Sequence, residues 1–146
     1  GGWEVLVQDL DDSPAQQVFL PAGSALATSS TQKRRWRHDG RNIQHIFDPA
    51  FGTPVVPEWG SVTVAARSCL RANALSTAAI VRGRGAAGWL AEQGADARLV
   101  DLVGRVITVG SWPRPADAVP EPVRGSEPVR GSEPVRRPET VGSATR

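Results

Sequence analysis

The sequence predicts an α+β fold: an antiparallel sheet with two packed helices, then a disordered tail rich in proline, arginine and glutamate. Three observations carry this reading. Short alternating or β-branched runs, separated by turn residues, fill the chain up to Ala66. An alanine-rich stretch from Ser68 to Gly94 has helical composition and two glycine stops. Beyond Trp112 no apolar run has either period, and a short repeat takes over.

The elements follow in order. Trp3 to Val7 alternates as a strand with Trp3, Val5 and Val7 on one face, and Asp9 to Pro14 carries turn chemistry. Gln17 to Leu20 is a second strand, and Pro21-Ala22-Gly23 turns the chain into Ser24 to Ser29. Lys33 to His38 alternates around Trp36, meets the hairpin dipeptide Asp39-Gly40, and returns as Arg41 to Phe47. Asp48 to Pro57 is too rich in proline and glycine for regular structure and reads as a loop. Ser61 to Ala66 reads as a buried strand. Ser68 can cap a helix over Leu70 to Val81, with Arg82 in its last turn and Gly83 to end it. Ala86 to Gln93 is a second helix stopped at Gly94, and Arg98 to Val100 and Val106 to Val109 are weaker strand candidates. Strands, then helices, then strands again is an α+β order rather than a βαβ series.

This divides the 146 residues into a folded part, 1–112, and a tail, 113–146. In the tail EPVRGS occurs at Glu121 to Ser126 and Glu127 to Ser132, and EPVR starts a third copy at Glu133. Proline in every copy and no aromatic residue leave too little apolar surface to bury, so disorder is expected. A linker without function is the plain reading and partner binding the alternative.

Composition excludes little but is informative. The net charge of +2 is spread evenly, with 11 basic against 10 acidic residues through Trp112. Sixteen of the 17 basic residues are arginine, which beside the abundant alanine, glycine, valine and proline suggests coding bias more than phosphate recognition. The basic cluster from Lys33 to His38 reads as a solvated strand; nucleic-acid contact is the alternative, without aromatic interleaving beyond Trp36 to support it. Cys69 is the only cysteine, so no intrachain disulfide or thiolate cluster can form. No apolar run approaches the ~20 residues of a membrane span. The chain opens Gly-Gly and has no methionine, so it is expected to be a processed product or, more simply, a piece of a longer protein.

The helix at 70–81 holds the most informative feature. Asn73, Ser76 and Thr77 fall within one turn of each other and place three small polar groups on one flank. Taken alone, such residues bond back to the backbone or face solvent. Two further segments stand upstream in order: GSALATSS from Gly23 to Ser30, and HIFDPAFGTPV from His45 to Val55. An isolated His45 is ordinarily a hydrogen-bonded structural residue, and Asp48-Pro49 ordinarily starts a turn.

With SVTVAARSCLRANALSTAAIVRG at Ser61 to Gly83, this ordered set resembles the C-terminal half of the FAD:protein FMN transferases, the ApbE or thiamine-biosynthesis-lipoprotein family. The family pattern is an ATSG-like turn, then H-I-[IL]-D-P-x-[TS]-G-x-P, then a strand and a helix carrying D-A-x-[AS]-T. The resemblance covers roughly 1–109. It implies Mg2+-assisted transfer of FMN from FAD to a threonine of an acceptor protein, with release of AMP. FAD is then the substrate and the acceptor protein a partner; some members hydrolyse FAD instead. By the same resemblance His45 and Ile46 lie along the flavin nucleotide, and Asn73, Ser76 and Thr77 occupy the metal position. Family members are often exported and membrane-anchored, and nothing in the sequence itself fixes a location. Nucleic acid is not an expected partner.

Three departures from the pattern stand out. Asn73 replaces the family's aspartate, and an amide oxygen brings no charge to a divalent ion. Phe51 stands where threonine or serine precedes the loop glycine, and Ser30 stands where glycine follows the serine, a strained choice if that site needs a positive φ. The family's glycine-rich G-G-x-x-K-G segment, expected in its N-terminal half, does not occur here. The alternative function is therefore a truncated or degenerate relative that binds flavin weakly at most.

Overall fold

A computed structural model describes residues 1–114. Ten strands and two helices follow in order: β1 (Gly2–Val7), β2 (Gln16–Pro21), β3 (Ala25–Ser30), β4 (Arg35–His38), β5 (Arg41–Gln44), β6 (Phe47–Asp48), β7 (Thr53–Pro54), β8 (Trp59–Ala66), α1 (Cys69–Arg82), α2 (Ala86–Glu92), β9 (Asp96–Asp101) and β10 (Val106–Val109). A single 3-10 turn, Gly83–Gly85, joins the helices. This is the expected α+β class. Apart from Pro113 and Arg114, the tail assigned to disorder lies outside the described residues, as do its repeats.

The central sheet has the order β10-β9-β8-β3, antiparallel throughout. Side chains alternate across it. Val62 and Val64 of β8 and Ala97 and Leu99 of β9 face α1 and α2, where Leu75, Ala79, Ile80 and Leu90 close a continuous apolar core. Their neighbours Ser61, Thr63 and Arg98 take the opposite face and are also buried. That face is covered by the β1–β2 hairpin, whose Val5, Val7 and Val18 meet Leu26, Ala65 and Trp112. Trp112 pins the hairpin further: its indole N–H donates to Gln16 Oε1 at 3.0 Å, and Gln16 Nε2 donates to Pro113 O at 2.8 Å. Trp3, expected on one face with Val5 and Val7, is 73% exposed at the hairpin's open end.

The caps set the limits of α1. Ser68 is extended (φ −148°, ψ 150°) and accepts from the Arg71 N–H, while Gly83 takes the left-handed φ of 58° that ends the helix. Trp59 then donates from its indole to Gly83 O at 2.7 Å, joining the start of β8 to the end of α1. Asp39 (φ 48°) and Gly40 (φ 74°) form the tight β4–β5 turn that the dipeptide predicts.

Several local expectations are corrected. The segment from Asp48 to Pro57 is not wholly irregular, since Phe47 and Asp48 pair with Pro54 and Thr53 in a small ladder. The strand expected from Lys33 starts only at Arg35, and its partner stops at Gln44. Ser30 carries no left-handed strain: it is a strand residue, and Asp39 is the one non-glycine residue with positive φ among those described.

Candidate functional site

The site begins with β3. Its Ser29 pairs with Val62 and so lies on the helix face of the sheet, a hydroxyl among aliphatic neighbours. Burying it requires partners. They come from the polar flank of α1: Ser29 Oγ lies 2.9 Å from Ser76 Oγ and 2.8 Å from Thr77 Oγ1. Ser76, fully buried, donates its hydroxyl to Asn73 O at 3.0 Å.

A hydroxyl has one proton, which fixes the direction of this chain. Ser76 has spent its proton on Asn73 O, so Ser29 donates to Ser76 and Thr77 donates to Ser29. Only lone pairs remain on Thr77 Oγ1 for whatever enters from outside.

Outside is a cleft of about 520 Å3 lined by Ser29, Ser30, Lys33, Arg34, Asn73 and Thr77, with His45, Ile46 and Phe47 on the same wall system. Residues far apart in sequence are thus brought together: His45 and Ile46 share the cleft with Asn73 and Thr77. Ser76 does not line it; it stands behind Ser29 and braces the wall. Asn73 and His45 are exposed, Thr77 is half-buried and Ile46 is buried.

The bend carrying His45 and Ile46 is held by Gln44, buried at the end of β5. Its amide accepts from the Ile46 N–H at 2.7 Å and donates to Ile46 O at 2.8 Å and Val55 O at 3.2 Å. One side chain thereby supplies bonds that a neighbouring strand would otherwise supply. Asp48 has the plain turn role: Oδ1 accepts from the Ala50 N–H at 2.8 Å, and its carbonyl accepts from the Gly52 N–H at 2.7 Å.

The bend after β3 is anchored as firmly. Thr31 donates from its hydroxyl to Trp59 O at 2.9 Å and from its N–H to Gly60 O at 2.9 Å. Ser30 donates to Asp9 Oδ2 at 2.6 Å and accepts from the Gln32 N–H at 3.0 Å. Asp9, nearly buried, in turn draws the Lys33 ammonium to 3.6 Å. Sequence reasoning missed Ser29, Lys33 and Arg34. The serine lay inside a motif read only as a turn, and the two cations lay inside an apparent strand.

The family model of the ApbE family matches residues 1–117. The chain belongs to the ApbE family. It is 34% identical over 83 residues to the FAD:protein FMN transferase of Vibrio cholerae, covering 56% of this chain and 25% of that protein. The FAD:protein FMN transferase of Escherichia coli K12 is 32% identical over 83 residues, with 56% and 24% covered. Among solved structures, the ApbE protein of Thermotoga maritima superposes with a TM-score of 0.64 at 31% identity, covering 74% of this chain and 36% of that one. The apo flavinyl transferase ApbE of Pseudomonas stutzeri gives 0.60 at 28% identity, with 73% and 34% covered. This ApbE-family chain thus spans about a quarter of the curated relatives it matches.

Mg2+, implied by the resemblance, asks for hard oxygen ligands that normally include one or two carboxylates. Asn73 and Thr77 offer neutral oxygens. No aspartate or glutamate lines the cleft among the described residues, whereas Lys33 and Arg34 bring positive charge to it. Nor do three histidine, cysteine, aspartate or glutamate residues come together anywhere in the described part. By themselves, the described residues of this cleft do not supply the donor set of a resident divalent cation.

Proposed function

We propose that this chain forms part of the flavin-nucleotide site of an FAD:protein FMN transferase. The observation that carries the reading is the convergence of His45, Ile46, Asn73 and Thr77 on one cleft, in a chain of the ApbE family. In the reaction an acceptor threonine oxygen bonds to the FMN phosphorus, the pyrophosphate P–O bond breaks, AMP leaves, and the hydroxyl proton passes to solvent or to AMP. His45 and Ile46 lie along the nucleotide, and the Ser29-Thr77 pair with Asn73 forms the polar wall on the α1 side of the cleft. Ser76 acts as a positioning residue behind that wall. Mg2+ is assigned to no residue of this cleft, and no step is routed through it.

Asn73 in place of aspartate favours a second reading, in which the chain is a non-catalytic relative that binds flavin and transfers nothing. One experiment separates the two. This chain's 1–114 is grafted in place of the matching segment of the Vibrio cholerae relative, and AMP release and acceptor labelling are followed with FAD. Transfer by the graft, lost on His45→Ala or Thr77→Val, supports the enzymatic reading. A folded graft that binds FAD and releases no AMP leaves only the binding reading. Failure of the isolated chain and of the graft to bind FAD ends both.

A further inference from the structure

Positive charge and lone pairs occupy different parts of the cleft. At the α1 side the available groups are neutral, the Thr77 hydroxyl oxygen and the Asn73 amide, and at the β3 side stand the Lys33 ammonium and the Arg34 guanidinium. Lys33 is built in: Asp9 holds it, Ser30 and the Gln32 N–H hold Asp9 and the bend, and Thr31 fastens the bend to β8. Arg34, next in the chain, forms no ion pair among the described residues. Beyond them the β4–β5 hairpin carries Arg35, Arg37 and Arg41 against Asp39 alone, so the segment that follows the two cations is itself basic. Asp9 offsets part of the Lys33 charge, but no carboxylate lines the cleft itself and Arg34 has no ion pair among the described residues, so the pair favours an anion. A phosphate is the anion that guanidinium and ammonium groups bind best through charge-assisted bonds.

We infer that Lys33 and Arg34 bind a phosphate or pyrophosphate group directly, without a divalent cation. The inference rests on the flavin reading only for the identity of the nucleotide. The anion site itself stands on the residues just named. It also gives the Asn73 substitution a consistent place. With an aspartate there, the cleft would need a cation to offset its charge before a phosphate could enter; with asparagine and two basic groups it does not.

The test uses the full chain and inorganic pyrophosphate as probe, by titration calorimetry with EDTA and again with excess Mg2+. Binding in EDTA is expected, weakened by about tenfold in Arg34→Ala, as for loss of one charge-assisted bond, and weakened again by added salt. Lys33→Gln should give a similar loss. Because Lys33 also contacts Asp9, unchanged circular dichroism is required of that variant, whereas Arg34 is exposed and its replacement leaves the fold alone. Asn73→Asp should weaken binding in EDTA and restore it with Mg2+. Pyrophosphate that binds only with Mg2+, or equally well after both cation replacements, or not at all, overturns the inference. Competition by FAD, FMN and ADP identifies the source of the phosphate. Pyrophosphate bound in EDTA but displaced by none of them would support the anion site while removing the flavin reading.

Discussion

The two faces of the central sheet are buried to similar depth by different means. On the helix face Val62, Val64, Ala97 and Leu99 meet Leu75, Ala79, Ile80 and Leu90, with no buried charge among the described residues. On the hairpin face Ser61, Thr63 and Arg98 lie under a cover fastened by three apolar residues and a few directional bonds. Thr63 shares a hydrogen bond with Thr28 at 2.9 Å, and Arg98, 3% exposed, donates from Nη2 to Pro14 O at 2.6 Å. Burial draws the Arg98 pKa down from its ordinary value, and its Nε has no partner among the described residues. Non-directional burial grows with area, while a few polar bonds hold only while their geometry holds. The helix layer is therefore expected to set global stability and the hairpin layer to open locally.

Breaking each layer in turn shows the contrast. Trp112→Ala removes the residue that both packs against Val7 and Val18 and bonds to Gln16. A loss of about 3–5 kcal/mol is expected at that layer. Hydrogen exchange should show amides of 2–7 and 16–20 losing protection while those of β8 and β9 keep theirs; equal loss everywhere would mean the layers unfold as one. Ile80→Ala, in the helix layer, should cost about 2–5 kcal/mol in a urea melt, with every strand of the central sheet exchanging faster together. Ser29→Ala removes the hydroxyl that β3 places on the helix face near the cleft. Thr77 then turns to water, and about 1 kcal/mol is expected to be lost, seen as a lower urea midpoint with unchanged slope.

The smallest effect belongs to the β9–β10 turn. Partial burial of Asp101 would raise its pKa, but the Arg105 and Val103 N–H groups on Oδ1 and the Arg105 guanidinium on Oδ2 outweigh that and hold it below its ordinary 3.8. A lowered folded pKa means that the carboxylate stabilises the turn above pH 3.8 and that this contribution fades as pH falls through the lower folded value. Asp101→Asn should flatten that part of the acid-unfolding curve; an unchanged curve would show the turn independent of the charge.

These contrasts also explain what sequence could and could not reveal. The caps at Ser68 and Gly83, the alternation of β1 and the Asp39-Gly40 turn are local signals, and local chemistry sets them. The placement of Ser29 is not local: it needs the β3–β8 register and the rotation of α1 together. Lys33 and Arg34 looked like strand residues because charge alternates around Trp36, yet Thr31 bends the chain first through bonds to Trp59 and Gly60. Gln44 gave no signal, since only the return of Val55 to Ile46 makes its amide useful. The two-residue β6–β7 ladder is too short for any period to register.

The bond from the Trp59 indole to Gly83 O clamps the far end of α1, as Ser68 does the near end. A helix fixed at both ends has one rotational setting, in which Thr77 meets Ser29 while Ile80 enters the core. One residue inserted between Ala72 and Ile80 would turn everything after it by about 100°. Length changes in that stretch are therefore admissible only where they keep the phase, which makes the helix a ruler for the distance between cap and cleft.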